Sequence, residues 1–336
     1  MIGVFAREQL AHRPAREMHN GAWIKHAETA ARAEAIVAAL PPLAPARDFG
    51  LGPILRVHAA EYVDFLRDAF ALWQAAGREG DALPYVWPVV GRRPLKLSRI
   101  DALLGRFSFD AATPIAPGTW EAAYWGTQTA LTALAPLLDG SVRTSFALCR
   151  PPGHHAGSDY FGGYCYLNSA AIAARAARDA GHARVAVVDI DYHHGNGTQD
   201  IFGADPSVFY ASIHADPATD YPFYWGHADE AGEGAGAGTT LNLPLPRGTG
   251  ITPYLAALDT ALAALKTYDP SLLVVSFGAD TFAGDPISGF ALATADYPAV
   301  AARIASLSLP TLVVMEGGYA TAELGDNVAA FLSGFA

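Results

Sequence analysis

The chain alternates short apolar runs with longer stretches in which apolar residues recur at helical spacing. The runs are 2–6 (IGVFA), 144–149 (TSFALC), 184–193 (RVAVVDIDYH), 208–213 (VFYASI), 239–245 (TTLNLPL), 272–277 (LLVVSF) and 311–315 (TLVVM). Between them the periodicity predicts a helix over 28–40, stopped by Pro41 and Pro42, and another over 59–76, where Tyr62, Phe65, Leu66 and Ala69 share a face. Further helices are predicted over 120–138, 168–180, 251–266 and 296–306. Strands that are apolar nearly throughout, alternating with helices, predict a parallel sheet covered on both faces. Two stretches stand apart. Arg7 to Lys25 reads as a polar loop carrying Glu17 and His19, with His26 just beyond it. Residues 79–120 form a long excursion rich in proline and aromatics, with a short helix near 98–104. Its tryptophans are costly to leave in water, so it should pack on its own domain or on a second subunit. Segment 232–238, GEGAGAG, reads as a surface loop, and His58, at the start of the 59–76 helix, as structural.

Polar residues break the apolar pattern at the carboxyl ends of the strands, where open α/β sheets form ligand sites. TSFALC runs into PPGHHAG with His154 and His155, and LLVVSF runs into GADTFAGDP with Asp280. TLVVM runs into EGGY with Tyr319, and the 184–193 run ends in Asp189, Asp191 and His193 before Gly195 and Gly197. If the strand continues through 193, period-two alternation puts these last three on one side of the chain. Such crowding is poorly solvated and self-repelling unless a cation sits among the groups.

Composition narrows the possibilities. With 336 residues, 51% hydrophobic content and mean hydropathy +0.17, the chain can bury an extensive core. A formal charge of −11 disfavours nucleic acid and favours cationic ligands. No run of about 18 apolar residues occurs, so no membrane span is expected, and neither is a signal peptide. Cys149 and Cys165 are too few and too far apart for a disulfide framework or a cysteine metal site, which suits a soluble protein of the reducing cytoplasm. Any metal must then be held by histidine and carboxylate.

Asp191, His193 and Asp280 offer an O/N/O set around zinc with one position left for water, the layout of a catalytic site. Fe²⁺, Co²⁺ or Mn²⁺ would also suit such oxygen-rich ligands. Two carboxylates neutralise a divalent cation and weaken its effect on water, so the site needs help. His155 is placed to act as general base, and Tyr319, behind Gly317 and Gly318, to donate to a developing oxyanion.

The segments RPPGHHA, DIDYHHGNGTQDIF, GADTFAGDP and EGGY resemble the histone deacetylase superfamily of zinc amidohydrolases. PGTWEAA, CRPPGHHAG, FGGYCYLNSAA and GAGAGTTLN are most similar to its acetylpolyamine amidohydrolase branch, and the resemblance extends over essentially the whole chain. It implies one deacetylase domain over 1–336 with the α/β arginase-deacetylase fold, three α/β/α layers around an eight-stranded, mainly parallel sheet. It implies hydrolysis of an acetyl amide, with a small acetylated amine such as an acetylpolyamine as the preferred substrate. A lysine or other small-molecule deacylase is the alternative within the family, and an inactive acyl-ligand binding protein the alternative outside it.

By position, the resemblance makes Asp191, His193 and Asp280 the zinc ligands, His155 the base and Tyr319 the oxyanion donor. His154 becomes an electrostatic partner backed by Asp189, and Asn196 orients His155 where some family members have an aspartate. The amide adds no charge, so it should raise the His155 pKa less than a carboxylate would. The resemblance also implies a potassium ion held by Asp189, Ser212, and the backbone carbonyls of Asp191, His193 and Ile213. Gly163, Tyr164 and Tyr221 would wall the acyl tunnel, and Gly317 and Gly318 would flank the substrate. Glu17 and Asp101 are the mouth carboxylates expected for a cationic substrate. Ala112 stands where that branch is expected to carry an acid, a departure that bears on long, doubly charged polyamines. A loop from a second subunit narrows the entrance in that branch, the role expected of 79–120 in a homodimer or higher oligomer.

Overall fold

The computed structural model describes residues 1–89 and 96–335, so 90–95 of the excursion lie outside the described residues. In chain order the elements are β1 (Ile2–Phe5), β2 (Arg16–His19), β3 (Ala22–Lys25), α1 (Ala30–Ala39), β4 (Ala44–Pro45), α2 (Gly52–Leu55) and α3 (Ala60–Ala75). Then come α4 (Ile100–Phe107), α5 (Thr119–Leu138), β5 (Thr144–Ala147), α6 (Ser169–Asp179), β6 (Val185–Asp189), α7 (Asn196–Phe202) and β7 (Val208–Ala215). The chain ends with β8 (Thr240–Leu245), α8 (Ile251–Tyr268), β9 (Leu272–Phe277), α9 (Tyr297–Ala305), β10 (Thr311–Met315) and α10 (Thr321–Ser333).

Eight strands form one sheet in the order β4-β1-β5-β10-β9-β6-β7-β8. Every neighbouring pair is parallel, so the sheet is wholly parallel rather than mainly so. The continuous apolar runs follow from burial on both faces. Val185, Val187, Leu272 and Val274 point into a cluster with α5 and α6, while Ala186, Val188, Leu273 and Val275 point into one with α1, α8, α9 and α10. No described helix is long and apolar enough to cross a membrane.

Two expectations about the elements change. Arg7 to Lys25 is not a plain loop: a 3₁₀ turn over Arg7–Ala11 is followed by an antiparallel hairpin pairing Glu17 with Ile24. Strand β6 stops at Asp189 rather than at 193, because the Asp189 carboxylate accepts the Asp191 N–H at 3.2 Å and turns the chain out of the ladder. The three acidic-end groups therefore do not share one strand face. The excursion packs largely on its own domain, with Ile100, Leu104, Phe107 and Ile115 joining Tyr62, Phe65 and Leu66 of α3, yet Tyr85, Val86, Trp87 and Val89 stay exposed. Helix α10 had no counterpart in the sequence reading. His58 is structural, its Nε2 accepting the Asn168 N–H at 3.0 Å.

Candidate active site

The strands that end in polar residues, β5, β10, β9 and β6, are consecutive neighbours in the middle of the sheet. Their carboxyl ends meet a pocket of about 370 Å³ whose lining includes His155, His193 and Tyr319 with Gly163, Tyr164 and Tyr221. Glu17, on the hairpin, also lines it.

Asp191 and Asp280 are fully buried, and His193 is the member of the trio that faces the pocket. His193 Nδ1 lies 3.3 Å from Asp191 Oδ1 and 3.0 Å from Asp280 Oδ2. One donor atom from each residue thus falls within 4.8 Å of the other two. Burial opposes ionisation of both carboxylates. His154 and His193 nevertheless hold Asp191 below the usual carboxylate range, and the Asp191 charge adds to burial in pushing Asp280 up. Burial also opposes charge on His193, but the two carboxylates outweigh it and lift the imidazole to about 10. A site that draws positive charge this strongly fits a divalent cation. The backbone makes room for it: a Cβ on Gly317 would sit 2.5 Å from Asp191 Oδ2 and 2.6 Å from Asp280 Oδ2.

Two other buried groups have comparable spacing and a different chemistry. His12, His26 and Glu28 lie together, but Glu28 Oε1 already accepts from Arg32 at 2.8 Å and Arg150 at 2.9 Å, so two guanidiniums repel a metal there. In the group of His154, Cys165 and Glu316, burial pushes the Cys165 thiol well up, leaving it protonated rather than a ligand thiolate.

The tandem histidines are driven to opposite charge states. His154 Nδ1 lies 3.0 Å from Asp189 Oδ2; burial disfavours its charge, but Asp189 and Asp191 overcome that and raise it to about 10. His155 is held well below the usual imidazole range by burial and by the positive His154 and His193 beside it. Its Nδ1 sits 2.7 Å from Asn196 Oδ1, which fixes the ring, and its Cδ2 edge faces Gly163, where a Cβ would approach within 2.2 Å. Adjacent groups pushed apart in this way suit different tasks, His155 as a neutral proton acceptor and His154 as a fixed positive charge.

Tyr319 is buried, and burial raises its phenol well above the usual range, so it keeps its proton. The Arg32 guanidinium lies 4.7 Å over its ring and donates to the carbonyl oxygens of Glu316 (2.6 Å) and Gly318 (2.5 Å). Asp285 Oδ2 accepts the Tyr319 N–H at 2.6 Å. Gly317 and Gly318 therefore stand behind the carboxylates and the tyrosine rather than on the pocket lining.

Of the two carboxylates expected at the mouth, Glu17 lines the pocket and Asp101 does not. Asp101 lies on α4, bonded to Arg78 at 2.8 Å and Arg99 at 2.7 Å, and its charge is spent on those partners. Glu17 accepts the Tyr164 hydroxyl at 2.8 Å and lies 2.8 Å from His26. Ala112 lines the pocket, so the mouth lacks an acid at that position. Asp189 pairs with Ser212 in the β6–β7 register, bringing together the side chains expected around potassium, although Ser212 Oγ lies 2.7 Å from His214 Nδ1.

Several residues of the site were missed. Arg32 lay within an alanine-rich helical run, and nothing local marks its reach to Tyr319. Asp285 lies just before the closing proline of the GADTFAGDP segment and could have been weighed beside Asp280. Asp110, on the pocket lining, lay within the irregular excursion.

Known proteins give the same picture. The histone deacetylase domain model matches residues 17–335. The chain is 46% identical to acetylpolyamine amidohydrolase 1 of Pseudomonas aeruginosa, covering 100% of this chain and 99% of that one. It is 43% identical to the acetylpolyamine amidohydrolase of Mycoplana ramosa, with 99% of each covered. A crystal structure of acetylpolyamine aminohydrolase from Burkholderia pseudomallei superposes with a TM-score of 0.96 at 40% identity, covering 100% of this chain and 98% of that one. With the α/β fold and a cation-seeking trio at the strand ends, these matches make the chain a member of the histone deacetylase family and a metal-dependent deacetylase.

Proposed function

We propose that this single-domain chain removes acetyl groups from small cationic amines, with acetylpolyamines as the best-fitting class. The observation that carries this reading is a pocket walled by Tyr164 and Tyr221 with the Glu17 carboxylate held on its lining, a shape for a thin aliphatic stem ending in an ammonium. The names of the full-length relatives support it.

Asp191, His193 and Asp280 would hold the cation, zinc in the first instance, which supplies Lewis acidity to the amide carbonyl and acidifies a water. His155, neutral and oriented by Asn196, takes the proton from the attacking water and returns it to the leaving nitrogen as the C–N bond breaks, giving acetate and free amine. His154, positively charged through Asp189, steadies the negative charge that develops. Tyr319 donates its hydroxyl proton in a hydrogen bond to the same oxyanion. Asp189, Ser212 and the carbonyls of Asp191, His193 and Ile213 would hold potassium. The exposed Tyr85, Val86, Trp87 and Val89 support a homodimer in which this surface is covered, and a monomer on size-exclusion chromatography would remove that reading. Two free cysteines suit the cytoplasm.

Glu17→Gln tests the substrate class, because the amide keeps an acceptor for Tyr164 while it removes the charge. A charge-assisted hydrogen bond of about 1.5 kcal/mol or more implies a rise in KM of about tenfold for acetylputrescine. A neutral N-acetyl alkylamine should show no such rise, and equal effects on both would refute cation recognition by Glu17.

Asn196→Asp tests the base. A carboxylate beside Nδ1 stabilises the imidazolium and raises the His155 pKa. Since only neutral His155 accepts a proton, the acid limb of kcat/KM moves to higher pH. A limb that stays in place, or moves to lower pH, contradicts the assignment.

A further inference from the structure

Asp110 lies on the pocket lining, and its carboxylate is bonded to both sides of the pocket. Its Oδ2 accepts three hydrogen bonds, from the Gly163 N–H at 2.7 Å, the Tyr221 hydroxyl at 2.9 Å and the Thr113 hydroxyl at 3.2 Å. Its Oδ1 accepts the Ala112 N–H at 3.0 Å. Thr113 Oγ1 in turn accepts the Tyr164 N–H at 3.0 Å. Gly163 and Tyr164 are consecutive left-handed residues, with φ of 54° and 64°. That backbone is unfavourable for a bulky residue such as tyrosine and persists only where the surroundings enforce it. The two N–H groups of this turn go to separate acceptors, that of Gly163 to Asp110 and that of Tyr164 to Thr113. On the other side of the pocket, Tyr221 packs edge-on against His155 at 5.2 Å, and a phenylalanine would supply the same ring face. The hydroxyl of Tyr221 adds the bond to Asp110.

Resting on the reading that this pocket takes the stem of an acetylated amine, we infer that Asp110 is a positioning residue that sets the tunnel width. It does so by holding both walls, Gly163–Tyr164 and Tyr221, on one carboxylate oxygen. It acts through the walls it holds. Its effect is to keep the gap narrow enough for an unbranched methylene chain and to keep the rings seated against His155 and Tyr319, whose centroid lies 5.7 Å from that of Tyr164. Releasing either wall widens the gap and lowers discrimination against bulky stems.

The test uses the metal-loaded full chain and its Tyr221→Phe, Asp110→Asn and doubly substituted variants. The measured quantity is the ratio of kcat/KM for N-acetylputrescine to that for N-acetyl-cyclohexylmethylamine, beside the melting temperature. Tyr221→Phe should lower the ratio by about fivefold, the worth of one hydrogen bond of about 1 kcal/mol. Asp110→Asn should lower it at least as much, and the double variant should match Asp110→Asn alone, since the two groups act through one contact. An unchanged ratio in both folded single variants, or effects that simply multiply, overturns the inference. Amide hydrogen exchange over 161–166 reads the same staple without substrate: it should quicken by about tenfold in Asp110→Asn and stay put in Tyr221→Phe. Unchanged exchange in Asp110→Asn also overturns the inference, whereas a wild-type chain inactive on acetylated amines would refute the proposed function and leave the exchange result standing.

Discussion

Replacing His155 by alanine should lower kcat by about 10²- to 10⁴-fold while the chain keeps its divalent cation. The expectation follows from what His155 touches. Its Nδ1 is engaged by Asn196, its ring packs against Tyr221, and among the described residues it belongs to none of the buried clusters with metal-ligand spacing. The neighbouring His154 cannot replace it, because Asp189 and Asp191 keep that imidazole charged and without a free lone pair at neutral pH. Metal content by plasma emission spectrometry, measured on the same preparation as kcat, separates loss of the base from loss of the site. A variant that retains near-normal kcat would show that another group takes the proton.

Asp191→Ala should remove metal and activity together, and it should also destabilise the chain. Asp191 accepts the backbone N–H groups of His193 and Gly317, both at 2.8 Å, in a fully buried position. Leaving each donor without a partner costs about 1–3 kcal/mol. The neutral isostere Asp191→Asn preserves an acceptor and the packing while it deletes the charge that draws the cation. It should therefore fold with a melting temperature closer to wild type than Asp191→Ala and still bind metal weakly. Full metal occupancy in Asp191→Asn with unchanged affinity would place the cation elsewhere.

Much of this site was legible because its residues lie at the ends of apolar runs. His154, His155, Asp280 and Tyr319 each follow a buried strand, and the sheet order sets those strands side by side. Asp189 to His193 was only half legible. Period-two alternation treats the segment as one strand, whereas the Asp189 carboxylate captures the Asp191 N–H and turns the chain, sending Asp189 toward His154 and Asp191 toward Gly317. The mouth was the least legible part. Glu17 and Asp101 look alike in sequence, and what separates them is long-range: Tyr164 meets Glu17, while Arg78 comes from outside α4 to neutralise Asp101. Arg32 and Asp285 act through backbone atoms of a loop far away in sequence, a relation that local pattern does not encode.

A narrow, acid-bearing tunnel should select small acetylated amines over acetylated proteins. The most direct test is kcat/KM measured side by side on acetylputrescine, acetylspermidine and an acetyl-lysine peptide. The account predicts that both polyamines exceed the peptide, with the short acetylputrescine at least equal to acetylspermidine because Ala112 leaves the mouth without a further acid. Equal or better activity on the peptide would contradict it.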